Sequence, residues 1–239
     1  MRKIIIIGAT SGIGRALTLK MARNGNRVGV TGRRTEMLES LCRDMPDDIT
    51  AHAFDITSPG ALAELDTLIQ SIGGMDTLVF CAGTGHINKN LSYGPGEDTN
   101  RLNVEVFTKV LGFAYRYFAD KGGGHIAAVT SVMGLRGSRD APSYAASKSY
   151  QINYLEGLRQ KAFAEKRKII ITDLRPGFVD TDMMKGEGEK MFWISSPDAA
   201  ARSIARALQK ERRVAYITPR WGLIGLLMRC IPGMLYERI

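Results

Sequence analysis

Short apolar runs alternate with amphipathic helical patterns along most of the chain, and this alternation constrains the fold more than any other feature. Each run is rich in apolar, largely β-branched residues and is bounded by Gly, Pro, Asp or Asn, as strands are. Uniformly apolar strands separated by helices are typical of a parallel sheet covered on both faces. The sequence therefore predicts an α/β fold with a doubly wound parallel sheet in three layers. Its seven predicted strands are Lys3–Ile7, Arg27–Thr31, Ile49–Phe54, Asp76–Phe80, His125–Thr130, Lys168–Leu174 and Val214–Thr218.

The length of the chain limits its organisation to one domain. A chain of 239 residues suits one full-sized α/β core and is short for two ordinary domains. Apolar residues recur at helical spacing between the strands, as at Ile13, Leu17 and Met21. Pro59 and Pro197 each follow a serine and are predicted helix starts. No internal repeat or linker interrupts the pattern, so residues 1–239 are predicted to form a single domain.

Charge and cysteine usage exclude several functional classes. The chain carries 33 Lys and Arg against 24 Asp and Glu, a formal net charge of +9, yet no helix-turn-helix or aromatic RNA-binding motif is present. We therefore expect no nucleic-acid partner, and the basic balance suits an anionic phosphate cofactor. Cys42, Cys81 and Cys230 stand far apart, which argues against a disulfide framework or a metal site. The N-terminus lacks the pattern of a signal peptide, so a cytoplasmic location is expected.

A glycine-rich loop follows the first predicted strand. It runs Gly8-Ala9-Thr10-Ser11-Gly12-Ile13-Gly14 and leads into a helix predicted to begin near Arg15. Glycines permit a tight turn and close approach of the backbone to a pyrophosphate, which then faces the free N–H groups of the helix start. A loop of this kind also serves as an ordinary strand-to-helix turn, but its position after the first strand favours phosphate binding.

The strongest chemical signal is Tyr144 followed by Lys148 one helical turn later, with Ser131 thirteen residues before the tyrosine. Positions i and i+4 share a helix face, so the lysine ammonium can lie beside the phenol. A phenol has a pKa of about 10, and a neighbouring cation lowers it toward neutral pH. Such a pair can exchange a proton with an alkoxide, while Ser131 donates a hydrogen bond to the same oxygen.

Together the glycine loop and this group resemble the short-chain dehydrogenase/reductase family, from Lys3 to about Thr218. The resemblance implies a Rossmann fold and a Ser–Tyr–Lys group, with Asn103 as a fourth member that helps hold a water linking the lysine to a proton relay. It also implies that Asp55 binds the adenine amino group and that Val179 and Thr181 bind the nicotinamide carboxamide. Asp55 is equally a candidate cap for the following helix. The full predicted cofactor set is Gly8, Thr10, Ser11, Gly12, Ile13, Gly14, Arg33, Arg34, Asp55, Ile56, Ala82, Gly83, Tyr144, Lys148, Pro176, Gly177, Val179 and Thr181.

The end of the second strand indicates the choice of nicotinamide cofactor. An enzyme that uses NAD places Asp or Glu there for the ribose 2′-hydroxyl. Here Gly32 is followed by Arg33 and Arg34, and guanidinium groups bind a 2′-phosphate by charge-assisted hydrogen bonds. The sequence therefore predicts NADP(H), with Arg33 the preferred ligand.

These features predict an NADPH-dependent carbonyl reductase, or an alcohol dehydrogenase in reverse, that acts on a ketone, aldehyde or alcohol. Two alternatives stay open: a catalytically idle NADP(H) sensor or partner-binding relative, and a 3-oxoacyl-type reductase of lipid metabolism with peripheral membrane contact. A lyase, isomerase or epimerase on the same scaffold is disfavoured, because many such relatives carry a larger substrate domain. The family resemblance also implies a homodimer or homotetramer.

Two segments near the C-terminus concern the substrate and partners. Residues 183–196 are predicted to form a flap over the substrate, and their methionines and aromatic residues suit an apolar compound. Residues 219–239 form an apolar and basic tail, which is too interrupted by charges and Pro232 to span a bilayer. Three placements of the tail are open: near the substrate mouth, at a subunit interface, or on a membrane surface. The last would bury Leu223, Ile224, Leu226 and Leu227 in the lipid, with Arg220 and Arg229 near its phosphates.

Overall fold

A computed structural model describes residues 1–182 and 193–238 of the protein. One parallel sheet of seven strands forms the centre, in the order β3-β2-β1-β4-β5-β6-β7. All of its neighbouring strands pair in parallel. The strands are β1 (Lys3–Ile7), β2 (Arg27–Gly32), β3 (Ile49–Ala53), β4 (Thr77–Phe80), β5 (Gly124–Val129), β6 (Ile169–Pro176) and β7 (Val214–Ile217).

Helices cover both faces of the sheet in the described ranges. They are α1 (Gly12–Arg23), α2 (Thr35–Asp44), α3 (Ala61–Ser71), α4 (Tyr93–Asn100), α5 (Phe107–Asp120), α6 (Pro142–Ala164), α7 (Pro197–Gln209), α8 (Pro219–Cys230) and α9 (Gly233–Tyr236). A π-helical turn, Arg101–Val106, joins α4 directly to α5, and a short 3₁₀ helix, Val132–Leu135, follows β5. The predicted doubly wound, three-layer architecture is confirmed.

Two hydrophobic cores explain why the strands are apolar on both faces. Ile4 and Ile6 of β1 point into one core, against α1 and α7, where Leu17 and Ile204 are buried. Ile5 and Ile7 point into the other core, which α3, α5 and α6 cover. Because side chains alternate along a strand, a run of consecutive isoleucines supplies both layers at once.

The predicted element boundaries differ from the observed ones in a few places. α3 begins at Ala61 rather than directly after Ser58, because Asp55, Ser58 and Gly60 form turns that delay the helix. α1 begins at Gly12, three residues before the predicted start. Pro197 does begin α7, and Ser196 caps it by accepting a hydrogen bond from the Ala199 N–H at 3.2 Å.

The strand order places a crevice at one edge of the sheet. Chain connections run outward in opposite directions from β1 and β4, so the loops that follow these two strands diverge. In open parallel sheets, ligands bind in the crevice at this reversal, beyond the carboxyl ends of the strands. The glycine loop follows β1, and residues 81–86 follow β4, so both predicted binding segments lie there.

The C-terminal tail packs against its own domain. The Trp221 side chain of α8 is buried, and the Arg136 guanidinium donates to the Met228 and Ile231 carbonyls at 3.2 and 2.8 Å. Arg136 also lies 4.2 Å from the centre of the Tyr236 ring. Within the described residues, no helix has both the length and the apolar character needed to cross a membrane.

Candidate active site

A cavity of about 890 Å³ opens at the carboxyl ends of the strands. It brings together residues that are far apart in the sequence, from the glycine loop to the segment after β6. With one exception, Asn103, every predicted catalytic and cofactor-binding residue lines this cavity. The residues concerned are Gly8, Thr10, Ser11, Gly12, Ile13, Gly14, Arg33, Arg34, Asp55, Ile56, Ala82, Gly83, Ser131, Tyr144, Lys148, Pro176, Gly177, Val179 and Thr181.

Two glycines of the loop are required by its geometry. Gly8 has a φ of +87°, and a Cβ at this position would stand 2.6 Å from the Ala82 backbone nitrogen. At Gly14, a Cβ would stand 2.0 Å from the Gly8 carbonyl oxygen. A side chain at either position would push apart β1, β4 and the start of α1, so the loop stays close to the backbone on both sides.

The two arginines after β2 occupy different environments. The Arg34 guanidinium donates to Thr10 Oγ1 at 2.8 Å and to Ser11 Oγ at 2.6 Å, and it lies 3.7 Å from the Asp182 carboxylate. It therefore ties β2 to the glycine loop. Arg33 is exposed at the cavity rim, and its charge stabilises the Asp55 carboxylate.

Asp55 closes a turn at the end of β3. Its Oδ1 accepts hydrogen bonds from the Thr57 N–H and from Thr57 Oγ1, both at 2.8 Å. Burial raises its pKa, but these hydrogen bonds and the Arg33 and Arg101 charges outweigh burial and lower the pKa below its ordinary value. The carboxylate is thus ionised at the cavity wall. It caps a turn rather than α3, which begins six residues later.

Lys148 is buried on α6 with its ammonium facing the cavity. Its Nζ donates to the Val129 carbonyl at 3.1 Å and to Gln151 Oε1 at 3.0 Å. Burial lowers the pKa of Lys148 to about 8, although the negative charge of the nearby Asp173 opposes this shift. The same burial raises the pKa of the Cys81 thiol to about 12, so that this group is neutral at pH 7.

Tyr144 and Ser131 lie beside this lysine. Lys148 Nζ is 5.8 Å from the centre of the Tyr144 ring, which is half-buried. The backbone of Gly85 packs against that ring, since a Cβ on Gly85 would stand 2.3 Å from Tyr144 Cδ2. Ser131 Oγ accepts a hydrogen bond from the Met133 N–H at 3.1 Å, which orients the hydroxyl at the start of the 3₁₀ helix and leaves its hydrogen available for donation.

Asn103 lies behind the cavity wall. Its side chain accepts from the Thr84 N–H at 3.0 Å and donates to the Thr84 carbonyl at 2.7 Å and to Ser147 Oγ at 3.0 Å. It therefore joins the loop after β4 to α6. Its backbone carbonyl accepts from Gln151 Nε2 at 2.9 Å.

The segment after β6 closes the other end of the cavity. Thr181 Cγ2 lies 2.8 Å from the position that a Cβ on Gly12 would occupy, so this segment touches the glycine loop. Val179 is buried and pairs with Ser195 in an isolated parallel bridge. Of the predicted flap, residues 183–192 lie outside the described residues. Trp193, at the following position, packs edge-on at 6.3 Å from Trp221.

Three residues that shape the site were missed by the sequence analysis. Gly85 packs on Tyr144, Trp221 packs on Gly177 and edge-on against Phe178, and Gln151 contacts Lys148. Only Gln151 had a usable signal, because it lies three residues after Lys148 on the same predicted helix. The contacts of Gly85 and Trp221 depend on long-range packing that no local pattern encodes.

Similar proteins identify the family to which this chain belongs. The family model "short chain dehydrogenase" matches residues 2–191. An "uncharacterized oxidoreductase" of Mycobacterium tuberculosis is 28% identical over 99% of this chain and 96% of its own length. The fold is similar to that of a short-chain dehydrogenase from Sphingobium yanoikuyae solved in complex with NADPH, with a TM-score of 0.80, 19% identity and coverage of 98% and 97% of the two chains. It is also similar to a 3-ketoacyl-(acyl-carrier-protein) reductase from Brucella melitensis complexed with NADH, with a TM-score of 0.80, 21% identity and coverage of 90% and 95%. The chain belongs to the short-chain dehydrogenase family of oxidoreductases.

Proposed function

We propose that the protein is an NADPH-dependent carbonyl reductase, or an alcohol dehydrogenase in the reverse direction. The observation that carries this proposal is that Ser131, Tyr144 and Lys148 line the same cavity as the glycine loop. Each motif alone is common, but their meeting in one crevice is what proton-coupled hydride transfer requires.

The cavity suits a nicotinamide dinucleotide. Its glycine-loop end has no side chains at Gly8 and Gly14, so a pyrophosphate can approach the backbone at the start of α1. When bound, this cofactor supplies the hydride. The nicotinamide end is assigned to Val179 and Thr181, and the adenine end to Asp55 and Ile56.

The protein's own residues handle the proton. Tyr144 is assigned as the acid that protonates the developing alkoxide, and Ser131 as the donor that holds the substrate oxygen beside it. The Lys148 ammonium supplies a positive charge next to the phenol and favours the phenolate form. Because the lysine is buried, its charge is less screened by water than that of a surface lysine.

Arg33 and Arg34 support a preference for NADPH over NADH. No carboxylate follows β2 at the position where one would bind a ribose 2′-hydroxyl and repel a phosphate. Hydrogen bonds to Thr10 and Ser11 hold the Arg34 guanidinium at this rim, and Arg33 lines the same cavity. The two cations together favour an additional phosphate at this rim.

The substrate end of the cavity supports an apolar carbonyl compound. Ile87, Met133 and Phe178 line it, together with the more polar Ser138 and Asp140. An apolar wall with a few polar groups near the catalytic hydroxyls is typical of pockets for small, largely apolar ligands.

Tyr144→Phe tests the assignment directly. We expect turnover with NADPH and a panel of ketones and aldehydes to fall at least about 100-fold, while NADPH affinity measured by fluorescence changes little, because the hydroxyl acts in the transition state. The matched control is Tyr93→Phe, since Tyr93 is exposed on α4. Turnover preserved in Tyr144→Phe would contradict the assignment of the acid.

We also propose that the tail contacts anionic lipid surfaces. Leu223, Leu226 and Leu227 are 63, 59 and 57% exposed, and they form one outward stripe on α8. Arg220 and Arg229 flank this stripe, while Glu237 is the one acid in residues 219–239. An apolar stripe with arginine borders complements a bilayer surface bearing negative headgroups.

Vesicle pelleting distinguishes lipid binding by this stripe from contact with a second copy of the chain. The wild-type protein should sediment with vesicles that contain anionic lipid, and Leu226→Ser with Leu227→Ser should weaken this at least several-fold. Met37→Ser, an exposed apolar residue on α2 near the opposite edge of the sheet, serves as the control. The alternative is that the stripe contacts a second copy of the chain. In that case the wild type would not bind vesicles, and the double variant would lose a dimer that light scattering detects in the wild type.

Pairing of subunits is proposed separately, through α5 and α6. Phe163 on α6 is 87% exposed, and Tyr150 is exposed beside Tyr154, with the two rings stacked at 5.8 Å. Phe163→Ser should reduce the molar mass measured by light scattering from that of a dimer or tetramer. An unchanged mass would exclude this face.

A further inference from the structure

Gln151 has a fully buried polar side chain, and the proposed reaction gives this side chain no role. Its exposed fraction is 0%, and it lies on α6 next to Lys148. Its Oε1 accepts a hydrogen bond from Lys148 Nζ at 3.0 Å, and its Nε2 donates to the Asn103 carbonyl at 2.9 Å. One amide thus bridges the ammonium and the backbone of the π-helical turn.

The π-helical turn explains why the Asn103 carbonyl can accept this bond. In a regular α-helix, the Phe107 N–H would donate to the Asn103 carbonyl, four residues earlier. Here it bonds instead to the Leu102 and Val104 carbonyls, so the wider turn redirects this donor. Turns of this kind recur at functional sites. The Asn103 carbonyl, which does not receive that hydrogen bond, accepts one from Gln151 Nε2 of α6 instead.

The contacts of Lys148 show what the bridge does. An ammonium group has three hydrogens to donate. One goes to the Val129 carbonyl and one to Gln151 Oε1, which leaves the third for the cavity side near Tyr144. Two fixed bonds of different direction determine where the third hydrogen points, whereas a single bond would leave the group free to rotate.

We infer that Gln151 is a positioning residue that holds the Lys148 ammonium toward the cavity by linking it to the Asn103 carbonyl. The inference rests on the proposed function, because it gives the lysine a role in turnover. Gln151 also fills the space between Lys148 and Asn103, so that no water is needed to join them. It is not among the residues that line the cavity, so it acts through Lys148.

Two substitutions at Gln151 separate positioning from packing. Gln151→Leu keeps most of the side-chain volume but removes both hydrogen bonds. Gln151→Ala removes the amide and opens space for a water, which occupies about 30 Å³ and can join the ammonium to the Asn103 carbonyl. We therefore expect kcat to fall about 10- to 100-fold in Gln151→Leu, with KM for substrate nearly unchanged, because a misplaced charge acts on the transition state.

The alanine variant should be the more active of the two. A kcat within about five-fold of the wild type is expected, since the water restores the link. If Gln151 merely packs, Gln151→Leu, which keeps most of the side-chain volume, will be the better enzyme. That order would overturn the inference.

Two readouts do not depend on turnover. A crystal structure of Gln151→Ala should show a water within hydrogen-bond distance of both Lys148 Nζ and the Asn103 carbonyl. Gln160→Leu, an exposed glutamine on the same helix, is the matched control and should leave all measurements unchanged. A wild type without reductase activity would refute the proposed function alone. An unmoved ammonium in the structure of Gln151→Leu would refute the role of Gln151.

Discussion

His125 of β5 makes the stability of this protein depend on pH in a defined window. The side chain is only 2% exposed, and its Nε2 lies 2.8 Å from Thr172 Oγ1. That hydroxyl donates its own hydrogen to the Arg212 carbonyl at 2.6 Å, so it accepts from the imidazole, which must carry its hydrogen on Nε2. The other nitrogen, Nδ1, is buried and has no hydrogen-bond partner among the described residues.

Protonation of His125 would place a charge on that unpartnered nitrogen. Burial, assisted by the positive charge of Arg2, therefore lowers the pKa of His125 from 6.5 to about 4. Between these two values the unfolded chain binds a proton that the folded protein does not bind. The contribution to stability is complete above about pH 6.5 and is lost as pH falls toward 4. At about 1.4 kcal/mol per pH unit, the loss over the window is about 3 kcal/mol.

Urea unfolding at a series of pH values between 7 and 4 measures this effect. His125→Gln keeps a donor for Thr172 but cannot titrate, so its free energy of unfolding should fall less steeply than that of the wild type. The difference between the two proteins should change by about 3 kcal/mol across the window. His86→Gln, at an exposed position, is the control and should follow the wild type. Parallel curves for the wild type and His125→Gln would refute the reasoning.

Three further predictions concern the candidate active site and the packing of Trp221 against it. Arg33→Asp should weaken NADPH binding about 30- to 100-fold and favour NADH in fluorescence titration, because repulsion replaces a charge-assisted bond; equal affinities for both cofactors in the wild type would contradict this. Gly177→Ala should displace Trp221, whose Cε2 lies 2.0 Å from the position of the new Cβ, and should lower the melting temperature by several degrees as well as increase proteolysis of residues 219–239. The pKa of Lys148 near 8 predicts that kcat/KM for reduction declines above about pH 8, as the ammonium loses its proton; a flat profile to pH 10 would rule this out.

The architecture was predictable because it is encoded locally. Strand and helix periodicities, the turns between them and the glycine spacing are properties of neighbouring residues, and a parallel sheet leaves few ways to connect them. The positions of all seven strands were therefore predicted to within two residues at each end. The Tyr144–Lys148 pair was predictable for the same reason, since one helical turn sets its geometry.

Burial and long-range contacts were decided only by the tertiary structure. The sequence by itself determined that Asn103 lies before α6 and that Gln151 follows Lys148, but not that a π-helical turn would aim the Asn103 carbonyl at Gln151. It likewise marked Trp221 as part of an apolar tail, whereas packing against Gly177 decided that this residue is buried while Leu223 is exposed. Local pattern specifies which elements form and which residues they carry. The partners and pKa values of those residues depend on which elements pack together, because desolvation and hydrogen bonding act through space rather than along the chain.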